Sequence, residues 1–245
     1  MRRITRQPLN QDVQADLIVR QTSVDQKRNT VGFSATDEWK TARQSYTLST
    51  VLTTLRHMTG ERQRCVYCLD SHGTDIEHFW PKTPYPERMF DWLNLLLCCA
   101  ECGRFKGDRF PVVDQMPLLV DPTAEDPWQY LDFDPTTGNI VPRFDVDLND
   151  YAIKGVETVK LLQLDQREAM ASGYKKTLRR LSQIVEDAIR HLTPSAEALI
   201  AQLIDADDHG LLTWCFLYSG RNEVPFCTLR DRYPAVWAAC VAALS

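Results

Sequence analysis

Two cysteine pairs with the same spacer, Cys65-x-x-Cys68 and Cys99-x-x-Cys102, are separated by thirty residues. Each pair can present two sulfurs on one side of a tight turn. Together they match the spacing by which four thiolates reach tetrahedral geometry round one zinc ion. An ion closed by four sulfurs has no open position, so it would be structural rather than catalytic. Cys98-x-x-x-Cys102 is a second way to form the later pair, and the matching two-residue spacer favours Cys99.

Between the pairs lies Asp75-Ile76-Glu77-His78. A carboxylate can hold a divalent cation, and a histidine near neutral pH can take a proton from water. A zinc-pinned loop carrying both suggests phosphodiester hydrolysis.

Composition narrows the rest. The chain has 245 residues, 44% of them hydrophobic, which is ordinary for a globular protein with a real core. No eighteen-residue apolar run is present, so no membrane span is expected. The basic start, Met1 to Arg6, is followed by no apolar core and is not a secretory signal, so the expected location is cytoplasmic. In a reducing cytosol Cys98, Cys215, Cys227 and Cys240 read as small buried hydrophobes rather than parts of a disulfide framework.

Net charge is −5, which argues against a protein basic all over. Residues 1–50 and 154–190 each carry an excess of three positive charges, and residues 110–150 carry nine acids against Arg143 alone. That pattern fits a nucleic-acid surface built from both ends and equally a plain solvated surface. Lys175, Lys176, Arg179 and Arg180 fall on one broad helical face, for which solvation is the simpler reading.

Along the chain, residues 1–34 are polar, with little periodicity, and read as irregular or partner-dependent. Residues 36–58 suggest one or two helices, with Trp39, Ala42, Tyr46, Val51 and Leu55 at near-helical spacing. Asp75–Phe79 is a short strand stopped at Trp80-Pro81, Trp92–Leu97 is an apolar entry to the second pair, and Gly103–Phe110 is a short helix. Residues 112–150 are rich in Asp-Pro turns, with short strands at Tyr130–Phe133 and Asn139–Phe144, and their acids match no calcium loop. From 155 onward the pattern is helical, with a new start at Thr193-Pro194-Ser195 and further helices at Leu211–Tyr218 and Pro234–Leu244. Trp128, Trp214 and Trp237 read as core residues.

Taken together, Cys65-Val66-Tyr67-Cys68, Ile76-Glu77-His78-Phe79-Trp80-Pro81-Lys82, Trp92-Leu93-Asn94-Leu95 and Cys99-x-x-Cys102-x-x-x-Lys106-Gly107-Asp108 resemble an HNH endonuclease. More narrowly they resemble the HNH subunit of Septu-type anti-phage systems and the related retron-linked HNH proteins. The resemblance is strongest over about residues 60–112. It implies an α+β, mainly α protein, in which a zinc-bound ββα-metal module (60–112) follows a partly helical segment (1–59). A Pro/Asp-rich connection (113–153) and a helical region (154–245) come after it.

The resemblance further implies a catalytic magnesium or manganese ion held by Glu77, with His78 as general base and Asn94 fixing the loop. Lys82, Arg104, Lys106 and Arg109 would lie near the nucleic acid. The family carries Asn or His directly after its last zinc cysteine, and this chain has Gly103, which leaves Glu101, Asp108 or water for the second metal position. The implied substrate is DNA. The implied partner is an ATPase of the ABC/SMC-like class, or a retron reverse transcriptase with its nucleic acid. The rival reading, supported by Gly103, is a non-catalytic zinc module that binds nucleic acid or a partner protein.

Overall fold

A computed structural model describes residues 1–191 and 195–244. It is mainly helical, with small two-stranded antiparallel sheets, and divides into two compact units. One is Arg3–Glu125; the other is Asp126–Ser245 together with Met1–Arg2. The division falls inside the Pro/Asp-rich segment. Among the described residues no helix is long and apolar enough to cross a membrane.

In the first unit, helix α1 spans Gln11–Lys27, where an irregular segment was expected. Asn10 caps it by accepting a hydrogen bond from the Val13 amide at 2.8 Å, and Val13, Leu17 and Val24 form its buried stripe. Those three apolar residues are thinly spread among polar ones, which hides the period. The expected helical stretch 36–58 is two helices, α2 (Ala35–Ala42) and α3 (Tyr46–Met58), capped by Ser34 and Ser45.

Strands β1 (Asp75–His78) and β2 (Leu95–Cys98) pair antiparallel, from Asp75 opposite Cys98 to His78 opposite Leu95. All four residues of β2 are buried, and α3 packs against this strand. Gly73 lies where a β-carbon would sit 2.4 Å from Leu97 Cγ, so only glycine admits this close approach. Helix α4 (Ala100–Lys106) follows directly. It starts earlier than the sequence suggested, because Cys99 caps it, its sulfur accepting from the Cys102 amide at 3.4 Å. It ends at Gly107, whose φ of +51° and ψ of −136° suit glycine, not at Phe110. The hairpin β3 (Val112–Val113) and β4 (Met116–Pro117) completes this unit.

The second unit holds hairpins β5–β6 (Leu131–Phe133, Ile140–Pro142) and β7–β8 (Phe144–Asp145, Asp150–Tyr151). Among the described residues, helices α5 (Ile153–Leu162), α6 (Glu168–Arg190), α7 (Ala196–Ala206), α8 (Leu212–Leu217), α9 (Phe226–Arg232) and α10 (Pro234–Leu244) follow. Trp128, Phe133, Tyr174, Trp214 and Phe216 are buried in its core, and the Trp214 indole donates to Asp132 at 2.6 Å. Of the expected start at Thr193-Pro194-Ser195, Thr193 and Pro194 lie outside the described residues. Ser195 caps α7. Lys175, Lys176, Arg179 and Arg180 are exposed, and Arg180 pairs with Asp208.

Candidate metal centre and adjoining cleft

The sulfurs of Cys65, Cys68, Cys99 and Cys102 lie within 4.8 Å of one another, and all four residues are buried. The Cys68 and Cys99 sulfurs are 3.9 Å apart. Four sulfurs bound to zinc at their usual distance stand about 3.8 Å apart along each tetrahedral edge. The donor set therefore fits one structural zinc ion, with Cys99 rather than Cys98 in the cluster. Mutual sulfur contacts lower the thiols of Cys99 and Cys65 and raise those of Cys68 and Cys102, so the four share their protons as one cluster. Cys98 lies beside the cluster, 3.9 Å from the Cys65 sulfur.

The geometry that forms this cluster is local. In the first pair the Leu69 amide donates to the Cys65 carbonyl, and Leu69 takes a φ of +50°. The Cys65 amide donates to Ser71, and the Val66 amide donates to the Leu97 carbonyl on β2. The first turn is thereby stitched to the strand that carries the chain into the second.

β1 keeps its ladder through His78, so successive side chains point to opposite faces. Asp75 and Glu77 share one face. Glu77 meets α4, where the Lys106 ammonium lies 2.8 Å from its Oε1 and also donates to the His78 carbonyl at 2.6 Å. Lys106 is fully buried, whereas the Glu77 side chain keeps 19% of its exposure. Burial raises the Glu77 carboxyl above its ordinary value, and the charge of Lys106 opposes that rise. Lys106, expected near a phosphate, has its ammonium on Glu77 and the His78 carbonyl in this structure.

His78 turns inward. It is 4% exposed, its ring stands edge-on to Trp39 with centroids 4.3 Å apart, and its Nε2–H donates to the Met89 carbonyl at 3.0 Å. A carbonyl only accepts, so Nε2 carries the proton and Nδ1 keeps the lone pair. Burial first, then the charge of Lys82, lowers the imidazole to about 3, so the ring is neutral at ordinary pH.

Asn94 is buried and holds both ends of the 80–94 loop. Its Oδ1 accepts from the Trp80 amide at 2.7 Å, and its Nδ2 donates to the carbonyls of Trp80 at 3.0 Å and Arg88 at 2.8 Å. Arg6 fastens the same loop from the start of the chain, donating to the carbonyls of Trp92, Leu93 and Leu95.

A cleft of about 530 Å³ opens beside the metal cluster. Asp75, Glu77, Lys82, Arg43 and Gly103 are among its walls, and Arg43 pairs with Asp75 at 3.0 Å. A β-carbon on Gly103 would lie 3.4 Å from Glu77 Oε2, so this turn of α4 faces the carboxylate and brings no donor to it. Asp108 is exposed beyond the end of α4 and is not among the cleft residues, so the structure does not join it to Glu77. Arg104 and Arg109 are exposed on or just after α4, with Arg109 donating to the Phe105 carbonyl, and neither lines the cleft. Lys82 is the one expected phosphate contact found in the cleft wall.

A catalytic divalent ion needs several oxygen donors. The cleft offers Glu77, already holding an ammonium, and Asp75, already holding a guanidinium. As the chain stands, these residues do not fit such an ion. Arg43 and Trp39 are site neighbours that sequence reasoning missed. Trp39 read as a helix-core residue, and nothing in the local sequence links either residue to strand β1.

No family model matches the sequence. Among curated proteins, the Septu protein PtuB of Bacillus thuringiensis is 30% identical over 112 residues, covering 44% of this chain and 38% of that protein. The matched stretch thus spans well under half the length of that relative.

Proposed function

We propose that this chain is a nuclease of a Septu-related anti-phage defence system, hydrolysing DNA phosphodiester bonds at the cleft beside the zinc cluster. The observation that carries the reading is the state of His78: a neutral imidazole, fixed through Nε2 on the Met89 carbonyl, with its basic nitrogen left at Nδ1. A general base needs an unprotonated ring nitrogen, which Nδ1 supplies, and burial that holds the ring at about 3 keeps it a weak base until it leaves this position. The likeness to a Septu protein supports the defence setting. Lys82 and Arg43 supply positive charge at the mouth of the cleft for an anionic backbone. Dependence on magnesium or manganese belongs to this proposal, as does a partner ATPase of the ABC/SMC-like class. A retron reverse transcriptase with its nucleic acid is the other setting that the sequence motifs allow.

In this proposal the buried ring and the Glu77–Lys106 pair are the resting arrangement. Catalytic hydrogen bonds are often misaligned before substrate binds, and the proposed chemistry requires the end of β1 to open toward the cleft. A second reading, a non-catalytic zinc module that binds nucleic acid or a partner protein, is favoured by Gly103 and by the inward ring.

Plasmid nicking separates the two. The zinc-loaded chain is incubated with supercoiled plasmid and magnesium or manganese, alone and with a proposed ATPase partner of the ABC/SMC-like class, with EDTA as control. Wild type is expected to nick, and His78→Ala to lose about 100-fold or more of the rate. Plasmid binding without any cleavage, alone or with the partner, hands the case to the non-catalytic module.

A further inference from the structure

A fully buried lysine is rare unless it is paired, and here the pairing has a specific target. Lys106 is 0% exposed and does not itself line the cleft, but its ammonium is bonded to a carboxylate that does, Glu77 Oε1 at 2.8 Å, and to the His78 carbonyl at 2.6 Å. Both contacts are oxygen donors at the end of β1, one anionic and one neutral. A hard cation entering this end of the cleft would seek the same two oxygens.

One helical turn before Lys106, the residue facing Glu77 is Gly103. Its missing side chain leaves the other carboxylate oxygen, Oε2, toward open cleft, 3.4 Å from where a β-carbon would stand. Lys106 and Gly103 are three residues apart and therefore neighbours on one helix face. That face brings to Glu77 a positive charge and an empty space, but no additional metal donor. The other carboxylate on the same face of β1, Asp75, is engaged by Arg43 at 3.0 Å.

We infer that the Lys106 ammonium is the resident cation of the Glu77 site, and that it shuts divalent metal out of the chain as it stands. The inference rests on the nuclease reading for its meaning but not for its test. In that reading, the cleft becomes able to take metal only when Lys106 withdraws from Glu77, so the pair is a latch on the site. On energetic grounds the latch is effective. Removing one partner of a buried ion pair leaves an uncompensated charge, so a metal ion has to replace the ammonium at Glu77 and leave Lys106 a new place in water.

The test measures manganese binding rather than cleavage. Full-length, zinc-loaded protein is titrated with Mn²⁺, and bound ion is counted from the loss of the free-ion electron paramagnetic resonance signal. Wild type is compared with the neutral double variant Glu77→Gln/Lys106→Met and with Lys106→Met and Lys106→Gln, each checked for retained zinc. Wild type and the double variant are expected to bind the same amount. The two single Lys106 variants are expected to gain one Mn²⁺ site per chain. One Mn²⁺ ion bound by wild type and absent from the double variant overturns the inference. So does failure of both folded, zinc-retaining Lys106 variants to gain a site. If the single variants lose their zinc, the comparison of wild type with the double variant decides. A chain that never cuts DNA can still pass this test, and a proven nuclease can fail it, so the two readings fall separately.

Discussion

Asn94 concentrates much of the local order in one amide. Three hydrogen bonds leave its side chain, all to backbone groups of the loop between β1 and β2, and the residue is 2% exposed. A typical hydrogen bond contributes about 1 kcal/mol net, and leaving buried partners unsatisfied costs more. Asn94→Ala is therefore expected to destabilise the 3–125 unit by about 2–4 kcal/mol, measured by urea denaturation of the zinc-loaded protein. An unchanged midpoint would contradict that role. His78 gives a second prediction, on acidity. Its folded value is lowered to about 3, and an unfolded histidine titrates near ~6.5. Between those values the unfolded chain binds a proton that the folded chain does not. Stability is thus intact above about pH 6.5 and falls as the pH drops, by up to about 1.4 kcal/mol per unit. Denaturation at about pH 7 and about pH 5 should reveal a steeper loss for wild type than for His78→Gln. Equal losses would mean that the ring titrates normally.

At the scale of elements, the residues that signal their own structure were the legible ones. The two cysteine turns, the strand at Asp75, the helices of 36–58 and the hairpin at 131–142 all carry strong local patterns, and they appear where those patterns put them. Helix α1 did not declare itself, because its cap and three buried residues are diluted by glutamine, aspartate and arginine. The long helical stretch after 155 breaks into α5 and α6 at Gln163, which takes a left-handed φ of +51° that no propensity for glutamine announces. The candidate site followed the same rule. Spacing foretold which sulfurs would cluster. Spacing could not tell that Lys106 would fold back on Glu77, that Arg43 would reach Asp75, or that the His78 ring would face Trp39. Those are contacts between residues 29 to 39 apart in the chain, set by packing rather than by local pattern.

For the whole molecule, the cysteine cluster belongs entirely to the unit 3–125. That unit joins the cluster to β1, β2 and α4, whereas 126–244 is held by its own apolar core. Metal removal is accordingly expected to act on one unit. A strong zinc chelator should speed amide hydrogen exchange in β2 and α4, where binding energy of the metal is folding energy, and leave α6 protected. Cys65→Ser should reproduce the pattern without chelator. Equal loss of protection in α6 would show that both units depend on the ion.

The pair formed by Lys106 and Glu77 also bears on how such a chain can change over generations. Lys106 has no exposure and Glu77 keeps some at the cleft, so replacing the glutamate alone strands the ammonium. A chain that exchanges the glutamate is therefore expected to exchange the lysine with it, whereas one that loses the lysine leaves a carboxylate at the cleft open to another cation.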